Sequence, residues 1–320
     1  MTDFWKGKKV IVTGGAGFLG SHLVPRLTDA GASVFVPRSA QYDLRTEDGV
    51  TRMFEDAGPS NVLFHLAATV GGIGANQQRP ADFIYDNLVM NALMVEQSRK
   101  AEVGKFVGLG SVCAYPRTMM VYPMREENIF EGYPEPTNAP YGIAKRALLV
   151  HLQAARRQYG FNGICLFPTN LYGPGDSFDP ETSHVVPAII SKMVEARRQN
   201  KFELTLWGTG RPTRDFLYVE DAAGGLMLAA EKYNRPEPIN LGSGRETTIA
   251  GLAEAIERIV EYEGQIVWDK SKPDGQPRRV LNSERAAYEF GWRAMTNLGE
   301  GLEKTVRWYE EISEEEISLA

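Results

Sequence analysis

Tyr141 and Lys145 stand four residues apart, and that spacing places a phenol and an ammonium on one face of a helix. A free phenol titrates near pH 10. The neighbouring positive charge is expected to lower that value and let Tyr141 exchange a proton near neutrality. Ser111 lies upstream, just beyond the apolar run Lys105–Leu109, and so at a strand end where ligand contacts collect. Serine, tyrosine and lysine together form a set suited to moving a hydride at a carbonyl carbon. Cys113 follows Ser111 by two residues. Strand side chains alternate, so hydroxyl and thiol are expected on one face, looking into one pocket. A thiol can be brought toward neutral titration by its surroundings, which adds a second proton-transfer group beside the first.

Hydride chemistry needs a cofactor, and the N-terminus offers a loop for one. Thr13-Gly14-Gly15-Ala16-Gly17-Phe18-Leu19-Gly20 falls between a strand signal and a helix signal. There, glycines permit a tight turn, close approach to a pyrophosphate and close helix–strand packing. The second strand is followed by Val36-Pro37-Arg38-Ser39, without the acid that would bond a ribose 2′-hydroxyl. Arg38 can pair with a 2′-phosphate instead, which favours NADP(H). Asp43, with Leu44 beside it, follows within reach of an adenine, and Ala67 and Ala68 end the next strand with small side chains.

These residues must be positioned by alternating strands and helices. Lys9–Thr13, Ser33–Val36, Asn61–Leu66, Lys105–Leu109 and Gly163–Phe167 read as strands. Ser21–Ala30 (with Pro25 near its first turn), Val50–Ala57, Asp82–Val103 and Pro140–Tyr159 read as helices, and Val70–Gly74 as a glycine-rich loop. This rhythm predicts an α/β fold, a Rossmann-like doubly wound parallel sheet. After Pro168 the pattern changes. Asn170–Pro180 reads as loop, and Val185–Gln199, Ile249–Glu261 and Gly299–Glu311 as helices. With strands at Leu204–Trp207 and Gln265–Trp268 they predict a smaller α/β substrate-binding lid, while Pro238–Leu241 is placed to return to the main sheet. The expected division is 1–170 with 212–245 for the dinucleotide domain, and 171–211 with 246–320 for the lid. The acidic run Glu314–Glu316 is expected to fray.

The bulk properties agree with an ordinary globular enzyme. A formal charge of −6 argues against a general nucleic-acid or membrane surface. Two cysteines, Cys113 and Cys165, exclude a disulfide framework and suit a reducing cytoplasm. No signal peptide is visible and no apolar run is long enough to span a bilayer. His22, His65 and His151 read as structural or solvated.

The chain resembles the extended short-chain dehydrogenase/reductases that act on nucleotide sugars, and among them the GDP-L-fucose synthase family. The resemblance rests on blocks spread over nearly the whole length: Val70–Asn76, Pro80–Tyr85, Leu109–Cys113, Glu135–Asn138, Pro168–Pro174, Ser183–Pro187 and Ser271–Gly275. It implies epimerisation at C3 and C5 of GDP-4-keto-6-deoxymannose, followed by NADPH-dependent reduction of the C4 ketone. It assigns the epimerising acid and base to Cys113 and His184. Pro168, Asn170 and His184 are implied to touch the cofactor, along with the glycine turn. Asn170 is also implied to sit beside the substrate. Arg214 and Arg279 are implied to hold the diphosphate, with Lys192 alongside and Trp207 able to stack on base or sugar. Trp207 and Phe216 are equally readable as lid core. Lys192 stands where the family commonly has arginine, and Arg279 where it commonly has lysine, which leaves the sugar and base open. The alternatives are a simple 4-epimerase or 4-reductase with Cys113 as bystander, and a non-catalytic cofactor sensor. A 4,6-dehydratase is disfavoured because Val112 and Cys113 replace an Asp-Glu pair. The family also implies a homodimer through the two long helices.

Overall fold

A computed structural model describes residues 3–179 and 183–319. The chain runs β1 (Lys9–Thr13), α1 (Phe18–Asp29), β2 (Ser33–Phe35), α2 (Glu47–Ala57), β3 (Val62–His65), α3 (Ile73–Gln78), α4 (Pro80–Lys100) and β4 (Lys105–Leu109). It continues through α5 (Ala139–Tyr159), β5 (Gly163–Pro168), β6 (Asn170–Tyr172), α6 (Val185–Arg198), β7 (Glu203–Trp207), β8 (Thr213–Tyr218), α7 (Val219–Lys232) and β9 (Ile239–Leu241). The last elements are β10 (Glu246–Thr248), α8 (Ile249–Val260), β11 (Gln265–Asp269), β12 (Arg278–Arg279), α9 (Glu284–Phe290) and α10 (Leu298–Leu319).

Strands β3 and β5 are buried along their whole length, as apolar strands covered on both faces must be. They lie within a six-stranded parallel sheet of order β2-β1-β3-β4-β5-β9. The chain leaves β1 toward β2 on one side and toward β3 on the other. That reversal opens a crevice over the carboxyl ends of β1 and β3, the place where open α/β sheets bind ligands. One face of the sheet packs through Leu19, Leu23 and Leu27 of α1 against Leu226, Ala229 and Ala230 of α7. The other face packs on Met53 of α2, Met94 of α4 and Leu148 and Leu152 of α5.

The lid has its own core, built from Ile190 and Met193 of α6, Leu252 and Ile256 of α8, and Leu302 and Val306 of α10. Its small sheet centres on β8, flanked by β10, β12 and β6, and β7 pairs β11 apart from it. The two halves interleave. β9 joins the main sheet beside β5, and α9 contributes Ala286 and Phe290 to the main core although it follows the lid elements in sequence. Within 212–245, β8 belongs to the small sheet.

Several local expectations change. Helix α1 starts at Phe18, so Pro25 lies in its interior, where the packed leucine face holds the helix despite the missing N–H. The glycine-rich loop ends early, because α3 begins at Ile73. Asn170–Tyr172, expected as loop, pairs with β8; Pro180 lies outside the described residues. Helix α10 takes in Glu314–Glu316. Among the described residues no helix is long and apolar enough to cross a membrane.

Candidate active site

The turn from β1 to α1 is built on close approach. Gly14 turns the chain at a φ of +69° against the backbone nitrogen of Ala67. A Cβ on Gly20 would lie 2.3 Å from the Gly14 carbonyl oxygen, so only glycine lets α1 seat on the turn. Gly17 is the N-cap of α1 and has no side chain to occupy the helix end, with Phe18 and Leu19 in the first turn. The free N–H groups there suit a pyrophosphate. Arg38 is solvent-exposed, and among the described residues no acid pairs with it. Asp43 is engaged otherwise: its carboxylate accepts from Arg45 Nε at 2.9 Å and Nη2 at 3.0 Å, which holds it below the usual carboxylate range. Leu44 is buried, while Ala67 and Ala68 are half-buried at the mouth of the crevice.

Helix α5 carries Tyr141 and Lys145, the candidate hydride-transfer pair. A Cβ on Gly142 would sit 2.3 Å from the Cys113 carbonyl oxygen, so this glycine lets the helix press on the turn that follows β4. That turn corrects the sequence reading. β4 ends at Leu109, and Ser111 caps a 3-10 turn, Val112–Ala114, that contains Cys113. The two side chains therefore do not alternate on a strand. They are gathered by the turn, with the Cys113 N–H donating to Ser111 Oγ at 3.2 Å. Ser111 is also hydrogen-bonded to the Tyr141 hydroxyl.

Lys145 is wholly buried, and its Nζ has no hydrogen-bond partner. Burial brings its ammonium down to about 8. The Nζ lies 5.5 Å from the Tyr141 ring centroid. Tyr141 itself is raised, by burial first and then by the charge of Cys113, with the Ser111 hydrogen bond opposing. The expected lowering by Lys145 is not found: burial dominates the phenol, and Lys145 is not among the groups that shift it. For donating a proton to a reduced carbonyl oxygen, a phenol that keeps its proton is the useful form. A buried ammonium without an acceptor and a glycine turn that keeps side chains away from a helix N-terminus are what a dinucleotide with ribose hydroxyls would complete, so these residues fit NADP(H).

Cys113 Sγ accepts from Asn138 Nδ2 at 3.4 Å and from Arg279 Nη1 at 3.7 Å. Asn138, the N-cap of α5, was missed as a site residue, although asparagine before a helix is a capping signal. His184 is the N-cap of α6, with an exposed ring whose Nδ1 is 3.8 Å from Oδ1 of buried Asp176. Asp176 was also missed. Pro168 ends β5, and Asn170 donates from Nδ2 to the Asp215 carbonyl at 2.8 Å. Arg214 is buried, donating to the carbonyls of Thr213 and Gln276, and burial lowers it to about 9. Trp207 is exposed, with the Lys192 and Lys272 ammonium groups 5.6 and 5.2 Å from its ring, whereas Phe216 is lid core. The other histidines are structural. His65 is locked between Thr13 and Asn91 and pushed down to about 3 by burial, His22 bonds the Pro174 carbonyl, and His151 is half-buried.

Residues 10–242 match the model of the NAD dependent epimerase/dehydratase family. The GDP-L-fucose synthase of Sinorhizobium fredii is 45% identical over 299 residues, covering 93% of this chain and 94% of that one. The GDP-L-fucose synthase of Escherichia coli is 37% identical over 311 residues, covering 94% and 96%. A GDP-L-fucose synthetase from Naegleria fowleri bound to NADP superposes with a TM-score of 0.85 at 29% identity, covering 97% of this chain and 96% of that one. The chain belongs to the NAD dependent epimerase/dehydratase family and, within it, to the GDP-L-fucose synthase family.

Proposed function

We propose that the protein converts GDP-4-keto-6-deoxymannose to GDP-L-fucose, or a closely related nucleotide deoxysugar, by epimerising C3 and C5 and reducing the C4 ketone. The observation that carries this reading is the single cluster of Ser111, Tyr141 and the Cys113 thiol, which joins carbonyl-reducing and carbon-deprotonating groups. The glycine turn, Arg38 and Lys145 would hold NADPH, which supplies the hydride to C4.

The chain's own groups do the proton work. A C–H next to the C4 ketone is acidified because the carbanion delocalises onto the carbonyl oxygen. Ser111 and Tyr141 hydrogen-bond that oxygen and stabilise the enolate. Cys113 takes the proton from one face and His184 returns one from the other, which inverts the centre. Asp176 orients the His184 ring. Once both centres are inverted, Tyr141 gives its proton to the C4 oxygen, and the Lys145 ammonium stabilises the phenolate left behind. Arg214 and Lys192 hold the diphosphate, and Trp207 stacks on the base. Asn170 and Pro168 border the site where sugar and nicotinamide meet. Helices α4 and α5 pack together and leave Tyr85, Val150 and Tyr159 exposed, which supports a homodimer through that face. The two free cysteines fit a reducing cytoplasm.

The test is turnover of GDP-4-keto-6-deoxymannose with NADPH in deuterated water. The expected product carries deuterium at C3 and C5, Cys113→Ser stops that labelling, and Tyr141→Phe abolishes reduction. Labelling and turnover that survive Cys113→Ser refute the two-step reading. Turnover of candidate GDP- or UDP-sugars that carry a C4 hydroxyl, without net NADPH consumption, indicates a simple 4-epimerase instead.

A further inference from the structure

We infer that Arg279 is a positioning residue for Cys113, its guanidinium holding the sulfur in place as the thiolate that removes the substrate proton. This deepens the proposed function and rests on its assignment of Cys113 as the base.

Arg279 sits on β12, in register with Arg214 of β8, and is 7% exposed. Its Nη1 lies 3.7 Å from Cys113 Sγ. Its Nε donates to Gln276 Oε1 at 3.0 Å, which locks the guanidinium plane. Gln276 is 1% exposed, and its Nε2 donates to the carbonyls of Pro116 and Arg117, both at 3.1 Å. Those carbonyls belong to the segment that leaves the Cys113 turn, so Gln276 ties the arginine to the backbone that carries the thiol. Among the described residues no carboxylate lies within ion-pair distance of Arg279. Arg214 beside it likewise donates only to carbonyls. A buried cation without an anion is costly. The group in contact with the Arg279 guanidinium that is able to supply negative charge is the Cys113 sulfur, while Cys113, Asp274 and Glu135 all favour the charged form of Arg214. Asn138 Nδ2 adds a second donor at 3.4 Å. Cations and donors aimed at sulfur are what make a cysteine reactive.

The family resemblance implied a diphosphate contact for Arg279. The geometry directs Nη1 of its fork at sulfur and Nε at Gln276, two separated donors held in one plane by the guanidinium. In the step it supports, the thiolate takes a proton from the carbon beside the ketone. The C–H electron pair forms the C=C bond of the enolate, and the negative charge passes from sulfur to the carbonyl oxygen. Arg279 keeps its charge throughout.

The test is the alkylation rate of the substrate-free protein with iodoacetamide at neutral pH. Cys165 is 3% exposed and its thiol is pushed up to about 12 by burial, so the label reads Cys113, with Cys113→Ser as the blank. Arg279→Gln is expected to slow alkylation by about tenfold, as the thiolate fraction falls. Arg279→Lys should recover most of that loss, because it restores charge near the sulfur. Deuterium exchange at saturating substrate should fall in parallel, as an effect on kcat. Alkylation of Arg279→Gln at the wild-type rate overturns the inference, and so does equal slowing in Arg279→Gln and Arg279→Lys, which marks a packing defect. A raised KM with unchanged alkylation also overturns it and leaves a diphosphate clamp. Exchange that survives Cys113→Ser sinks the assignment of the base itself, and with it this inference, independently of the alkylation rates.

Discussion

Replacing Lys145 by methionine should stabilise the cofactor-free protein while disabling it. The side chain is wholly buried, its Nζ meets no acceptor, and burial depresses its ammonium from 10.5 to about 8. At roughly 1.4 kcal/mol for each pH unit, the folded state carries a charge-burial cost of about 3 kcal/mol at neutral pH. Between pH 8 and 10.5 the unfolded chain holds a proton on this lysine that the folded chain lacks. Stability therefore rises with pH across that window, and the cost is fully present below it. Methionine has similar length and no charge, so Lys145→Met removes the cost at neutral pH and flattens this part of the pH dependence. Urea unfolding of both apo proteins at pH 7 and pH 10 measures the difference, which cancels the other groups titrating there. Saturating NADPH should reverse the order of stability, because the ammonium then gains ribose acceptors and the wild type binds more tightly. An apo Lys145→Met protein less stable than wild type at pH 7, or one retaining the full pH 8–10 gain, would refute the reasoning.

Gly20→Ala forces a Cβ to within 2.3 Å of the Gly14 carbonyl oxygen, where only backbone can yield. Overpacking of this kind costs about 1–3 kcal/mol, so NADPH titrated by fluorescence should bind on the order of ten- to a hundredfold more weakly. Arg38→Ala should cut the preference for NADPH over NADH by about tenfold or more, the worth of a charge-assisted phosphate contact; unchanged discrimination in steady-state kinetics would assign the 2′-phosphate elsewhere. Asn240→Ala strips a buried side chain that accepts from the Tyr115 hydroxyl at 2.6 Å and donates to the carbonyls of Met124 and Asn282. Stranding those groups should cost about 3 kcal/mol or more in denaturant unfolding.

The order of most strands and helices was legible because periodicity is local, and apolar runs such as Val10–Val12 read as strands buried on both faces. The helices expected at Asp82–Val103, Pro140–Tyr159, Val185–Gln199 and Ile249–Glu261 lie within three residues of their predicted ends, whereas α7 was not read and α10 runs on to Leu319. Boundaries moved where capping decided them. α2 begins at Glu47 because Thr46 accepts from the Gly49 N–H, and α1 begins at Phe18 because the glycine turn itself is the cap. Strand β6 was read as loop because its three residues carry no pattern of their own; pairing with β8 makes it a strand. Cys113 was placed beside Ser111 for the wrong reason, since a 3-10 turn rather than strand alternation gathers them. Asp43 looked free for an adenine until Arg45, two residues on, was seen to hold it.

What the sequence by itself determined is what depends on neighbours along the chain: the glycine turn between β1 and α1, the four-residue spacing that puts Tyr141 and Lys145 on one helical face, and the missing acid after β2. Tertiary structure decided the electrostatics. Lys145 loses its solvent because α5 packs against both the sheet and α4, and the phenol's own burial, more than the lysine's charge, sets its state. Arg279 reaches Cys113 across 166 positions because β12 docks against β8 over the carboxyl end of the main sheet. Desolvation and long-range charge contacts arise only when separate elements pack, so local pattern, which singled out Tyr141 and Lys145 as candidates, carried no information about what tunes them.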